Sequence, residues 1–432
     1  EQIIPKTWQT RLESGTTAHN WVAKFNNPQL NTLVAKALSN NFTLRSASER
    51  IIQLENSELL VKANQRPGIA GSAGINTGGT LEDFDILDNA NYNISLSSRW
   101  EIDLWGQLRN EREQAAGDTA AQTANFYASR LSIAANTCRA YFNLVSAQNS
   151  YTLAEDTLKH FERSFEITER NYKSGIPGTD ALDVQFGRNN ITNAERNLES
   201  SKLSVASNSQ ALQILLGDYP DGNLRVNNTL PAPISTLPST MPAGVLEQRP
   251  DLIEARADLY ITMKEIEIRE KDFLPTITLS PSVSTSGNVL DLSDALDPAQ
   301  ISWSVASSLA QVIFDNGARK LQIEQTQSVY RAAIHSYTQE VLIALQEVEL
   351  ALLSDRSLEK QNELLQKEVR VASLAEAQAQ RDYTQGLDNS GILSVLESQR
   401  RAVNARSELI GIRNSRLQNQ VDLFVAMGGN PK

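Results

Sequence analysis

The sequence predicts a mainly α-helical chain with a small membrane β part, a long-helix α-barrel carrying four strands per chain. Three observations carry that expectation. From Ala318 to Gln385 there is neither glycine nor proline, and the stretch Leu108 to Ser174 holds only Gly117. Around residue 100, apolar and polar side chains alternate with period two. The whole pattern occurs twice.

The uninterrupted stretches predict helices over 108–174 and 318–385. At 1.5 Å per residue each would be about 100 Å long, far beyond the 11–12 residues of an average helix. Tyr330, Ile334, Tyr337, Val341, Ala344, Val348 and Leu352 recur at heptad-like spacing, which is the stripe of a coiled coil. Shorter helices are expected over 30–64, where Pro67 sets the end, and over 179–216 and 391–427. Two short helices end to end match one long one.

The alternation is clearest where Tyr92, Ile94, Leu96, Trp100, Ile102 and Leu104 interleave with Asn93, Ser95, Ser97, Arg99, Glu101 and Asp103. Period two with one apolar face is a strand. It has the length of a tilted membrane strand, about 9–11 residues. A partner strand is expected over Gly68–Asn76, ahead of a loop at Gly78-Gly79. The second pair is read from Ile277, Leu279 and Val283 among Thr and Ser, and from Ile301, Trp303 and Val305 around Ser302 and Ser304. An amphipathic strand of a soluble sandwich would show the same alternation, but not beside helices of this length.

The duplication rests on a constant offset. Gly106 and Gly317 stand 211 positions apart (317 − 106), as do Gly175 and Gly386, Leu182 and Leu393, and Leu216-Gly217 and Met427-Gly428. Pro67 and Pro275 pair at nearly the same spacing. The chain therefore divides into a first repeat over 1–217 with strands in 65–104, a second over 245–432 with strands in 275–313, and a joining segment over 218–244. That segment carries Pro220, Pro231, Pro233, Pro238 and Pro242 and is expected to be a linker or an extended wrap.

Composition narrows the function classes. The chain has 432 residues, 40% hydrophobic, and a net charge of -11, with a mean hydropathy of -0.35. No window supplies the roughly 20 apolar residues of a spanning helix, so membrane contact falls to strands or to a covalent lipid. The acidic balance argues against nucleic acid as a partner. Cys138 is the single cysteine and reads as a small core residue. His19, His160 and His335 are scattered, so no metal site, catalytic constellation or cofactor is expected. The opening Glu1-Gln2-Ile3 shows no leader pattern, as expected once any signal peptide has been removed.

Four membrane strands cannot close a barrel, and lipid tolerates no open edges. The chain is therefore expected to oligomerise. Eight strands would leave room only for side chains, so a hollow barrel favours three copies and twelve strands.

Several stretches resemble the outer-membrane factor family, the TolC and OprM type of efflux channel. They are Trp100-Glu101-Ile102-Asp103-Leu104-Trp105-Gly106-Gln107-Leu108, Gln248-Arg249-Pro250-Asp251-Leu252, Phe273-Leu274-Pro275, Phe314-Asp315-Asn316-Gly317, Gln346-Glu347-Val348-Glu349-Leu350-Ala351-Leu352 and Tyr383-Thr384-Gln385-Gly386. They cover nearly the whole chain in family order. The Gln-Arg-Pro-Asp stretch points to the efflux (NodT-like) branch. The resemblance implies a homotrimer in the outer membrane of a Gram-negative bacterium, with most of the chain in the periplasm. It implies outer-membrane lipid around the strands, a periplasmic adaptor protein, and an inner-membrane transporter of the RND, ABC or MFS type. Many relatives of this branch are lipoproteins, which leaves open an acylated cysteine ahead of Glu1. Other readings are a type I secretion channel or a non-conducting trimeric coiled-coil surface fibre.

The resemblance also implies a gate at the helix turns, where an acidic residue at the position of Asp183 tethers a tyrosine at the position of Tyr383. From the residues alone, Asp180 or Thr179 reads as a helix N-cap, and Asp183 as a charge complementing the helix dipole. The family's acidic ring positions fall on Ser394, a departure, and on Glu397, whose three copies would favour cations. Leu393 would be the apolar constriction, and Asp180 and Asp388 complete the acidic set. Gly106, Gly317, Pro67 and Pro275 read as strand–helix hinges. Trp100, Trp105 and Trp303 fit either a membrane-interface belt or packing at the strand–helix junction.

Overall fold

The computed structural model describes residues 20–78, 90–176, 179–234, 247–385 and 392–429. Gly79, Pro238, Pro242, Gly386 and Asp388 lie outside them. The chain is mainly helical with four antiparallel strands. A short 3-10 turn, Trp21–Phe25, precedes α1 (Pro28–Asn40), α2 (Phe42–Asn64), β1 (Gly68–Thr77), β2 (Ala90–Ile102), α3 (Gln107–Lys173) and α4 (Ala181–Leu216). The second pass gives α5 (Pro250–Lys271), β3 (Thr276–Asn288), a 3-10 segment (Val289–Leu296), β4 (Ser302–Ala310), α6 (Ala318–Thr384) and α7 (Ile392–Ala426). Helices α3 and α6 are each 67 residues long. Among the described residues no helix is long and apolar enough to cross a membrane.

The continuous helix expected over 30–64 is instead two helices. Asn41 is extended at φ -64, ψ 125, and its side-chain Oδ1 accepts from Thr43 N at 2.9 Å while its Nδ2 donates to the Leu215 carbonyl at 3.1 Å. One asparagine thus ends α1, caps α2 and fastens both to α4. No glycine or proline announces the break, because the side chain does the work of the missing backbone bonds.

Tertiary contacts group the chain into two units, and each draws on both halves of the sequence. One comprises residues 48–125 and 253–339. Its sheet runs β1-β2-β3-β4, and the register sorts the side chains. Leu96 lies between Gly71 and Val283, and Val283 beside Trp303. That face is apolar and open: Trp303 is 77% exposed, and Ile75, Ile94, Leu96, Val283, Val305 and Leu309 are also exposed. The opposite face is a field of hydroxyls, with Ser72 paired to Ser95 at 2.8 Å, Ser282 to Ser304 at 2.9 Å and Ser284 to Ser302 at 3.2 Å. Ile301 precedes β4 and Leu104 follows β2, so the alternation in the sequence overruns both strands by a residue or two.

Helix α3 leaves the sheet through Gly106 at φ 73, and α6 through Asn316 at φ 56 and Gly317 at φ 83, left-handed conformations that favour glycine. Asp103 accepts from Leu108 N and Arg109 N, and Asp315 accepts from Gly317 N and Arg319 N. Each carboxylate satisfies amide donors at the helix start. The indole of Trp100 donates to the Gln65 carbonyl at 3.1 Å, and that of Trp105 to the Pro275 carbonyl at 2.8 Å. Two of the three tryptophans thereby tie strand ends to neighbouring backbone beside Pro67 and Pro275.

Glu111 in α3 is half-buried among carboxylates. Burial, followed by the charges of Glu101, Asp103, Asp272 and Glu265, raises its pKa above the ordinary value. Its neutral form is more favoured in the folded chain than in the unfolded one, so the stability it contributes is full below the ordinary glutamate value of 4.5 and is lost as pH rises through the raised folded one. Glu111→Gln is expected to raise the thermal midpoint at neutral pH. A series of melts on both proteins should show the gain shrinking toward pH 4.

The second unit comprises residues 1–47, 126–252 and 340–432, as far as they are described. Its centre is aromatic. Trp21 stacks on Phe424 with ring centroids 5.6 Å apart, and Phe25 packs edge-on against Phe142 at 5.3 Å. Cys138 is fully buried. From Asp218 to Ile234 the chain after α4 forms neither helix nor strand and bonds to side chains of α4 and α7. Gln213 donates to the Asp221 carboxylate and accepts from Gly222 N. Gln420 both donates to and accepts from the backbone of Ile234, at 3.1 and 2.9 Å.

Candidate functional site

The residues singled out for a gate lie where α3 ends, α4 begins, α6 ends and α7 begins. Their local structure follows from ordinary helix chemistry. Asp180 is the N-cap of α4, its Oδ1 accepting from Leu182 N at 2.8 Å and Asp183 N at 3.0 Å. Asp183 answers with its Oδ2, which accepts from Asp180 N at 2.9 Å. The two aspartates form a reciprocal capping box, and both stay in contact with solvent.

Tyr383 sits differently. It is buried in an apolar cluster with Ile392 and Val395, packed on by Ile167, Ala379 and Leu396. Its hydroxyl lies 3.1 Å from Thr168 Oγ1. Thr168 gives its single hydroxyl proton to the Ser164 carbonyl, 3.0 Å away on the preceding turn of α3. The Thr168 oxygen is therefore left to accept, and the Tyr383 hydroxyl donates to it. Among the described residues Asp183 and Tyr383 of one chain are not bonded to each other. Each has a partner nearer in its own surroundings.

Beside this bond lies a second polar set. Gln399 of α7 is 4% exposed, and its Nε2 donates to Ser164 Oγ at 3.1 Å and more distantly to Gln380 Oε1 at 3.5 Å. Ser164 Oγ also reaches Gln380 Oε1 at 3.5 Å. The Oε1 of Gln399 is buried without a donor among the described residues.

Leu393 is 56% exposed at the first turn of α7, with Ser394 half-buried beside it. Glu397 is clasped by two arginines of its own helix. Arg400 donates through Nε and Nη2, both at 2.9 Å, and Arg401 through Nε at 2.8 Å. The Arg401 bond and then the Arg400 bond hold the Glu397 carboxyl below the usual carboxylate range. The carboxylate stays ionised, but its charge is more than offset locally, which the acidic-ring expectation did not weigh. Leu393, Glu397 and Arg400 line a groove of about 780 Å³ together with Leu153, Phe161 and Phe186.

Sequence reasoning missed Thr168, Ser164, Gln380 and Gln399, which are polar residues at helical spacing that look like solvated surface. The Glu397–Arg400 and Glu397–Arg401 pairs carried a visible signal in their three- and four-residue spacing. Among the described residues, no group of three or more His, Cys, Asp or Glu could hold a metal ion, and nothing in this arrangement resembles catalytic machinery.

The family model for outer membrane efflux proteins matches residues 33–218 and 242–429. The chain is 26% identical over 412 residues to the cation efflux system protein CusC of Escherichia coli, covering 95% of this chain and 88% of that protein. It is 26% identical over 431 residues to the toluene efflux pump outer membrane protein TtgF of Pseudomonas putida, covering 95% and 85%. Among solved structures, the open state of the Neisseria gonorrhoeae MtrE outer membrane channel matches with a TM-score of 0.87 at 25% identity, over 100% of this chain and 97% of that one.

Proposed function

Because the chain belongs to the outer membrane efflux protein family, we propose that three copies close one continuous duct whose mouth is controlled at the ends of α3, α4, α6 and α7. The protein is an outer-membrane channel of efflux pumps, of a family that transports rather than catalyses. The observation that carries the trimer is the sheet. Its order leaves β1 and β4 as edges within the described chain, and one face is apolar and exposed. Strand edges cannot stay open in lipid. Pairing β4 of one copy with β1 of the next removes them, and three copies make a twelve-stranded barrel with the serine face inward.

The duct is passive. Solutes reach it from an inner-membrane transporter through a periplasmic adaptor, and the channel supplies a water-filled path. A hydroxyl-lined strand face with little charge suits varied cargo, from drugs to other small solutes. In keeping with that, relatives of the same family are named for solutes as unlike as a cation and toluene. At the mouth, Leu393 narrows the path. Arg400 and Arg401 offset the charge of Glu397, which makes that ring less favourable to cations than a bare acidic one.

Native mass spectrometry of the detergent-extracted protein tests the assembly. Three copies per particle are expected, and a folded monomer would contradict it.

A further inference from the structure

We propose that β4 and the chain just beyond it take β1 of a second copy in one defined register, with Ile313 opposite Ile69 of the partner subunit and Val305 opposite Thr77 of the partner subunit. Residues 311–313 become strand only in that contact. This rests on the assembly reading above and specifies the surface through which the copies meet.

The duplication supplies the template. Pro67 and Pro275 set the shift from β1 to β3 at 208 (275 − 67), and Gly106 and Gly317 set that from β2 to β4 at 211 (317 − 106). Together the two shifts carry one hairpin onto the other. Ile75 opposite Tyr92 becomes Val283 opposite Trp303, and Gly68 opposite Arg99 becomes Thr276 opposite Ala310, as observed. They hold beyond the strands as well. The Trp100 indole donates to the Gln65 carbonyl at 3.1 Å, and at the shifted positions Gln311 Nε2 donates to the Phe273 carbonyl at 3.1 Å. Between the hairpins, Ile102 faces Ile277 and Ile94 faces Thr285. The same shifts move those pairs to Ile313 opposite Ile69 and Val305 opposite Thr77. Because β1 and β4 are opposite edges of the sheet, this contact falls between copies, head to tail, and repeating it closes a ring.

Three features of the open edges fit that partner. The first is strand length. β2 pairs with β1 only as far as Arg99, and it runs on to Ile102 because β3 pairs with residues 100–102. β4 pairs with β3 as far as Ala310, the counterpart of Arg99, and ends there. Residues 311–313 are neither helix nor strand, since within one chain they lack the neighbour that 100–102 have. The second is exposure. Ile102 and Ile277 are half-buried, whereas Ile313 and Ile69, the same residue type at the matching positions, are 95% and 74% exposed. In the helices that lead into the sheet, Ile268 of α5 is buried and its counterpart Leu60 of α2 is 65% exposed. The third is the alternation of faces. This register sets apolar positions against apolar ones, and a slip by one residue would turn them against the hydroxyl face.

Disulfide trapping of the assembled protein tests the register. Cys138 is fully buried, so the unaltered chain should give no crosslinked band. Chains carrying Ile313→Cys with Ile69→Cys, or Val305→Cys with Thr77→Cys, should shift under mild oxidant from single chains to covalent dimers and trimers in denaturing gels. Directly opposite residues have Cβ atoms about 4.5–5.5 Å apart, within disulfide reach. The exchanged pairs, Ile313→Cys with Thr77→Cys and Val305→Cys with Ile69→Cys, should remain single chains. Intact trimers in which neither matched pair links would overturn the register, as would linking of Ile313→Cys to Gly71→Cys ahead of Ile69→Cys. Hydrogen exchange on the unaltered trimer needs no substitution. Amides over 311–313 should exchange as slowly as those over 100–102, and exchange at the rate of an open loop would overturn the strand extension. Failure of the assembly reading looks different, since native mass spectrometry of the unaltered protein would then show no trimer at all.

Discussion

Replacing Arg249 with methionine is expected to destabilise the folded protein by about 1–3 kcal/mol, the usual cost of leaving the hydrogen-bond partners of a buried group unsatisfied. The Arg249 side chain is 9% exposed and meets three elements at once. Its Nε and Nη2 grip the Asp251 carboxylate at 3.0 and 2.6 Å. Its Nη1 donates to Glu347 of α6 at 2.7 Å and to the Ala426 carbonyl at the end of α7 at 3.0 Å. Burial opposes the Asp251 charge, yet the Arg249 guanidinium holds that carboxyl below its ordinary pKa. Removing the cation leaves two half-exposed carboxylates facing each other's side of the gap and an orphaned helix carbonyl. Gly428, at φ 67, lies so close to Gln248 and Arg249 that an added Cβ would stand 2.8 Å from their backbone. The local chain path therefore depends on this contact. Chemical unfolding of the variant beside Arg249→Lys checks it. Lysine should recover only part of the loss, because it cannot make the forked bond to Asp251.

Phe424→Ala should cost about 3–5 kcal/mol, as expected of a large aromatic removed from a packed core. Phe424 is fully buried, stacks on Trp21 and meets Phe25 edge-on. Its loss opens a cavity walled by two other aromatics that cannot readily collapse into it. It also frees Trp21–Phe25, a 3-10 turn with buried aromatic side chains. The expected signature is lost near-ultraviolet ellipticity and a lowered unfolding midpoint, with Phe424→Leu intermediate.

The parts of this fold that are legible in the sequence are those written in long patterns. Helix α6 can be read from 318 onward because nothing in it interrupts a helix, and β2 can be read because its two faces want different surroundings. The helix break at Asn41 is illegible for the opposite reason. It depends on one side chain bonding to its own chain and to Leu215, and asparagine carries no such message by itself. Asp103 and Asp315 as helix caps belong to the same class. They sit ahead of strong helix signals, but the alternation over 92–104 assigns Asp103 to a strand face instead.

At the candidate gate, Asp180 and Asp183 are legible as a cap because the capping box is local. The setting of Tyr383 is not. Its partner Thr168 lies 215 residues away in sequence, and threonine, serine and glutamine on a long helix pass for surface. The gate residues implied by family resemblance are at the ends of α4, α6 and α7, but resemblance transfers positions and not bonding. Within this chain Asp183 bonds to the first turn of its own helix, and Glu397 pairs with Arg400 and Arg401, a pairing the three- and four-residue spacing displays.

Copies of this chain are expected to enclose an aqueous path across the outer membrane. Single-channel recording of the purified, unaltered protein in planar lipid bilayers tests it most directly. Discrete, reproducible current steps that require the assembled trimer are predicted. Electrically silent bilayers containing intact, inserted trimers would contradict the claim and favour a non-conducting surface structure.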